Sequence, residues 1–351
     1  MQTRCAFVVL TIVLQTISFA DIPRPWQPFI ICDSKNPETF PEIDGNRVAW
    51  EAYTNYGDWD IQGADINNVD PEYIKILTIA GTPQDEWAPD ISGSIVVHER
   101  KFTNYPDYDI WYTTSFSDNP ELFCIDSSPD DTRRPRVSGS NVTWMHKFSD
   151  ANDWDIILIT LPDHGEESTM TALPITYGDE IFPDLNGNRI IWTWVENQES
   201  GYITSMDPTT DPNTIFVGMQ LNPEHAPVIS GNWVVGVDID GFVIADNISD
   251  DEEALKISRS RYCGSPAIAD HIVVWHDWRN DNWDLYGYNL EKQSEFKIVA
   301  SCVGNQRHPD ITACPDGDGY WVVWEDDREG QWNTDIYGMR INGPKVARVE
   351  E

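Results

Sequence analysis

A five-residue phrase recurs seven times along this chain: Pro, any residue, an aliphatic, usually a small or polar residue, then usually Gly. It reads PEIDG from Pro41, PDISG from Pro89, PRVSG from Pro135, PDLNG from Pro183, PVISG from Pro227, PAIAD from Pro266 and PDITA from Pro309. Successive copies are 48, 46, 48, 44, 39 and 43 residues apart. Self-similarity at such a period marks tandem supersecondary units, none of which can bury its apolar face alone.

Each phrase is followed by an aliphatic strand, usually ending in Trp: Trp50, Trp144, Trp192, Trp275 and Trp324, with His98 and Gly236 in the other copies. A polar turn comes next, and then an Asp that opens another strand at Asp60, Asp109, Asp155, Asp284 and Asp335. A further apolar strand closes the unit, as in Ile76 to Ile79 and Phe296 to Val299. Four short strands per repeat, separated by turn residues and without helical periodicity, predict one propeller blade per repeat. Packing the blades face to face around an axis buries both faces of each. The last repeat stops after its third strand, ending at Ile341, while Phe29-Ile30-Ile31 stands alone ahead of the first phrase. The expectation is an all-β, seven-bladed β-propeller of four-stranded antiparallel blades, closed by this N-terminal strand.

Residues 1–20 have the pattern of a signal peptide. Arg4 supplies a basic start, Cys5 to Leu14 an apolar run too short to span a bilayer, and Ser18-Phe19-Ala20 small residues at the cleavage positions. Residues 21–351 are then one propeller domain, expected to be secreted, periplasmic or at a cell surface, with no membrane insertion. The formal net charge of −36 disfavours nucleic acid, whose phosphates need clustered Lys and Arg. A monomer is expected. Cys32, Cys124, Cys263, Cys302 and Cys314 follow the cleavage point, an odd number whose pairing the sequence leaves open.

The segments WHDWRNDNWDLYGYNL from Trp275 and WEDDREGQWNTDIYGMRI from Trp324 share Trp-x-Asp-x-Arg followed by Asp-aliphatic-Tyr. In this the chain resembles the TolB-like propeller repeat family over nearly its whole length, although seven repeats set it apart from the Tol-system protein itself. The resemblance implies a propeller fold and the company of exported scaffold and cell-surface proteins. The repeated Trp and Asp are expected to be structural, the ring packing between blades and the carboxylate accepting backbone or indole N–H groups.

The residue after each repeat proline lies on the strand expected to line the channel. Glu42, Asp90, Asp184 and Asp310 are acidic there, Arg136 is basic, and Val228 and Ala267 are apolar. Convergent carboxylates are candidates to hold a hard cation such as Ca²⁺, or to pair with Arg136. Trp87, His225 and His308 precede repeat prolines, in loops expected on one face with Arg136 near the axis. His225 and His308 could add acid–base or metal chemistry to the acidic ring, although no third histidine is evident nearby. Asp316-Gly317-Asp318-Gly319 has part of a calcium-loop pattern but is explained by a hairpin turn, and Asn141 and Asn247 fit glycosylation acceptors. No nucleophile elbow, zinc-protease helix, phosphate loop or dinucleotide fingerprint occurs.

Two functions fit. One is a non-catalytic exported scaffold binding a protein, peptide or glycan on its loop face. The other is an extracellular polysaccharide-active lyase or hydrolase with its site at the channel mouth. An asymmetric cluster of His and carboxylates would favour the second.

Overall fold

In the computed structural model the chain is described over residues 27–342, apart from 68–70, 103–104, 106, 149–152, 163–168, 174–177, 196–200, 210, 250–252, 300–302 and 331–332. The proposed signal peptide and Cys302 lie outside the described residues. Seven four-stranded antiparallel sheets succeed one another along the chain. Blade 1 comprises β2 (Glu38–Asp44), β3 (Arg47–Tyr53), β4 (Trp59–Asp65) and β5 (Ile76–Ala80). The first strands of blades 2 to 7 are β6 (Asp85–Ser92), β10 (Asp131–Ser138), β14 (Asp179–Asn186), β18 (Val228–Ser230), β22 (Cys263–Ala269) and β26 (Gln306–Ala313).

Closure follows the expected route. β1 (Phe29–Cys32) pairs antiparallel with β28 (Asp335–Ile341), completing blade 7 beside β27 (Tyr320–Asp326) and β26. Phe29, Ile31 and Cys32 are buried with Trp50 of blade 1 and Trp321 and Ile336 of blade 7. One short strand therefore closes a sheet and fills the space between the ends of the ring.

The repeated phrase turns out to be the joint between blades. Its Gly occupies the first position of a two-residue hairpin, where a positive φ (58–61° at Gly45, Gly93, Gly139, Gly187 and Gly231) calls for a residue without Cβ. Asp270, at φ 52°, takes this place in blade 6. The residue before the Gly accepts a hydrogen bond from the hairpin N–H of the next blade. Asp44 serves Gly93 (2.6 Å), Ser92 serves Gly139 (3.0 Å), Ser138 serves Gly187 (2.9 Å), Asn186 serves Gly231 (3.1 Å), Ser230 serves Asp270 (3.0 Å) and Thr312 serves Gly45 (3.3 Å). Small polar side chains recur here because only they reach a neighbouring backbone without filling the interface.

The blade tryptophans are core residues: Trp50, Trp144, Trp192, Trp275 and Trp324 are at most 1% exposed. The Trp-x-Asp-x-Arg segment builds a network around two of them. Asp277 accepts from the Trp275 indole (3.3 Å) and the Arg279 N–H (2.9 Å), and Arg279 lies over the Tyr286 ring at 3.8 Å. Asp326, Trp324, Arg328 and Tyr337 repeat the arrangement. Where Ala52 and His146 replace the Asp, the Trp50 and Trp144 indoles have no hydrogen-bond partner among the described residues. In blade 5 a Cβ on Gly236 would lie 2.7 Å from the buried Leu221, which fills the space the ring has elsewhere.

Cys32, Cys263 and Cys314 are buried free thiols and Cys124 is an exposed one. Among the described residues no helix is long and apolar enough to cross a membrane. The Asp316–Gly319 segment is the hairpin between β26 and β27, held by Arg340, which donates to the Asp318 carbonyl at 2.6 Å and pairs with Asp316. The Asn141 amide donates to the Gly187 carbonyl (3.1 Å) and to Asn188 (3.0 Å), a structural use of a candidate glycosylation acceptor.

Candidate functional site: the channel and its loop face

The residues following the repeat prolines line the channel, and most are tied into the ring. Asp310, Asp90 and Asp184 each accept the N–H of the equivalent strand one blade on: Ile43 (2.7 Å), Val137 (2.6 Å) and Ile229 (2.8 Å). Arg136 donates to Glu42 at 2.8 Å and lies 3.8 Å from Asp90. Burial would lower the Arg136 pKa, but Glu42, Asp90 and Asp184 outweigh it and raise it. Burial pushes Asp90 up to about 8 and Asp184 up to about 6, against the pull of Arg136. Asp310 is driven well above its ordinary value by burial and by Glu42. The oxygens a channel cation would need thus face backbone N–H groups and a guanidinium. No group of three or more His, Cys, Asp or Glu is disposed to hold a metal among the described residues.

Above this tier stands a ring of strained residues. Phe40, Ala88, Arg134, Phe182, Ser265 and His308, each directly before the proline, adopt φ of 44–55°. Each coincides with a register shift in the first strand of its blade. Such a conformation costs a non-glycine residue on the order of 1–3 kcal/mol and persists only where the surroundings enforce it. Here the preceding blade enforces it at four positions. Glu51 accepts the Ala88 N–H (2.8 Å), Glu99 that of Arg134 (2.6 Å), Glu325 that of Phe40 (3.4 Å) and His276 Nδ1 that of His308 (3.2 Å). Trp87 and His308, expected in loops, lie inside the first strands, Trp87 directly before the bulge residue and His308 at it; His225 is in a loop as expected.

The mouth is asymmetric. The His308 ring packs tilted against Phe40 at 4.3 Å, meets Ser265 Oγ through Nδ1 at 3.1 Å, and places Nε2 3.9 Å from Glu325. Arg307 pairs with Glu325 at 3.0 Å. Burial and Arg307 hold His308 down at about 4, burial holds His276 well below its ordinary value, and burial also lowers His225. Burial lifts Glu325 to about 7. A third histidine does stand close: the His276 ring centre is 5.3 Å from that of His308, and His225 is within its electrostatic reach. The sequence signal was available, because His276 directly follows Trp275 where Glu51, Glu99 and Glu325 follow the equivalent second-strand residues. Its side chain faces away from the Trp, towards the bulge. Trp87 is not in this cluster; it packs against Trp59 at 4.8 Å, which in turn meets Tyr53 at 5.3 Å.

A chain of rings leads outward from the mouth. His276 meets Trp283 at 4.5 Å, and Trp283 meets Trp278 at 5.2 Å. Trp278 borders a groove of about 750 Å³ between blades 5 and 6, lined also by Phe242, Arg259, Arg261, Tyr262 and Arg279. Tyr262 and Trp278 keep 63% and 40% of their surface exposed. Local backbone groups are already paired, with the Trp278 N–H on the Tyr262 carbonyl at 2.9 Å. The groove therefore presents rings more than peptide groups, with Arg259 and Arg279 paired to Glu295, and with Asp281 also on its wall.

Comparison with known proteins supports the fold. A puromycin-hydrolysing peptidase of Mycobacterium tuberculosis superposes with a TM-score of 0.61 at 12% identity, covering 87% of this chain and 51% of that one. The β-propeller domain of the Trilobed protease from Pyrococcus furiosus, described as having an open velcro topology, gives 0.57 at 11% identity over 86% and 95%. The computationally designed Ika8 protein gives 0.55 at 14% identity over 87% and 83%. The chain spans about half the length of the whole peptidases it resembles, such as a prolyl endopeptidase of which 47% is covered. No family model matches the chain, and no curated protein sequence matches it. The molecule is thus a seven-bladed propeller of the architecture that peptidases carry as a domain, here with its ring closed by β1.

Proposed function

We propose that this chain is a non-catalytic exported propeller that binds a protein, peptide or glycan on the face bearing the channel mouth and the groove between blades 5 and 6. The observation that carries this is the division of labour among its polar groups. The channel carboxylates serve inter-blade N–H groups and Arg136, whereas the rings of Tyr262 and Trp278 keep 63% and 40% of their surface exposed beside Arg261 and the Glu295-paired Arg259 and Arg279. Rings on a rigid scaffold, adjoining cationic groups, suit recognition. Arrays of peptides and of neutral and acidic oligosaccharides, probed with the parent and with the Tyr262→Ala/Trp278→Ala double variant, test it. Retention of a ligand set by the parent and its loss in the variant is expected; equal retention by both contradicts the proposal.

A second reading is favoured by the cluster of His225, His276, His308 and Glu325. A neutral imidazole beside a carboxyl poised near neutrality has the composition of an acid–base pair, so a polysaccharide-active enzyme with its site at the mouth is the alternative. Mass spectrometry of array-positive oligosaccharides after incubation separates the two. Intact ligand supports binding, and cleavage abolished by His308→Ala supports the enzyme.

A further inference from the structure

The seam where β1 hands over to blade 1 contains a carboxylate with no visible means of support. Glu38 is 1% exposed, and neither of its carboxylate oxygens has a hydrogen-bond partner among the described residues. Its backbone N–H donates to the Thr334 carbonyl at 2.8 Å, which sets it against the start of β28, where Asp335 is also 1% exposed. Asn333 spans the same point. Its Nδ2 donates to the Ser34 carbonyl (3.1 Å) and to Asp335 (3.2 Å), while its Oδ1 is buried and unpartnered. Thr334 Oγ1 is buried without a partner as well.

Blade 4 keeps a buried Glu180 opposite Trp194 at the equivalent position, but three other blades treat it differently. In blade 2 the corresponding Glu86 faces Arg100 across the strand pair and contacts it at 3.0 Å. In blade 3 the residue is Thr132, which donates to the Tyr108 carbonyl, and in blade 7 it is the neutral Gln306. In blade 1 Ala52 stands opposite Glu38 where Arg100 stands opposite Glu86. Burial and Asp335 push Glu38 up to about 7 against the pull of the nearby Ser34, whose groups do not reach hydrogen-bond geometry with either carboxylate oxygen. Burial and Asp33 lift Asp335 to about 6. A buried carboxylate beside another acid, and without a cationic partner, calls for a proton or a metal ion.

We propose that the ring seam is a calcium site, in which the Glu38 and Asp335 carboxylates and Asn333 Oδ1 coordinate one Ca²⁺ that ties the closing strand to blades 1 and 7. The donor set is all oxygen, two carboxylates with a neutral amide, as a hard cation prefers. It lies apart from the channel and does not depend on the binding function. Thermal unfolding of the full chain in chelator, in Mg²⁺ and in Ca²⁺ tests it, alongside calorimetric Ca²⁺ titration. At a concentration about a hundred times Kd, the parent should melt roughly 5 °C higher than in chelator. Glu38→Gln should lose that shift and the calorimetric site; Asp335→Asn serves if Glu38→Gln does not fold. Asp310→Asn, in the channel, should keep both. A parent indifferent to Ca²⁺, a Glu38→Gln variant that responds like the parent, or a response lost only in Asp310→Asn would each overturn the seam site.

Discussion

Two tryptophans three residues apart show how position along a blade decides what a side chain does. Trp275 is fully buried, with its indole bonded to Asp277, whereas Trp278 stands in the following turn with 40% of its surface open. Trp275→Ala should therefore cost roughly 3–5 kcal/mol in urea unfolding, and Trp278→Ala less than about 1 kcal/mol. Equal losses would contradict the assignment. Titration of the channel acids gives a second expectation. Asp90 and Asp310 hold folded values far above the roughly 3.9 of an unfolded Asp, so the folded ring binds the extra protons. Their stabilising contribution is complete below the unfolded value and is lost as pH rises through the folded one, about 8 for Asp90. In chelator, the free energy of unfolding should fall between pH 5 and pH 8, and Asp310→Asn should flatten that fall. A slope that rises with pH in the parent would be inconsistent with carboxyls buried in this way. At this scale the sequence disclosed the channel acids by their shared place after the proline. It concealed their use, because a carboxylate that caps a backbone N–H one blade away has the same spelling as one awaiting a metal.

Among the elements, β1 has the largest consequence for its length. Its four residues complete blade 7 and bury Phe29 and Ile31 against the blade 1 interface. A chain beginning at residue 35 leaves β28 as an unpaired edge and opens the apolar seam. It should melt well below the parent, with loss of cooperativity and dye binding to exposed apolar surface; unchanged melting would refute closure by β1. This element was legible because both ends of the repeat pattern were incomplete in complementary ways. The bulges in the first strands were not. They place non-glycine residues at positive φ, and at four of the six a Glu or His from the preceding blade accepts the bulge N–H. The sign of that partner, a Glu or His directly after the second-strand Trp or its equivalent, lies in the preceding repeat and not beside the bulge, so Trp87 and His308 read as loop residues although they lie within strands.

At the level of the whole molecule, ring symmetry explains what was easy and what was hard to see. Most of what builds the ring repeats, and repetition exposed the fold, the blade count and the burial of the blade Trp. The proposed binding face is harder to see, because the mouth brings together segments distant in sequence, such as Phe40, Ser265, His276 and His308. The groove between blades 5 and 6 likewise joins the turn at Phe242, the connection at Arg259 to Tyr262 and the turn at Trp278. On the proposed function, this face binds ligand while the opposite hairpins only close the blades. The most direct measurement is the equilibrium affinity of an array-identified ligand for three proteins: the parent, Trp278→Ala, and His271→Ala on the opposite hairpin face. Trp278→Ala should weaken binding about tenfold or more, and His271→Ala should leave it unchanged. Loss at His271 with retention at Trp278 would contradict it.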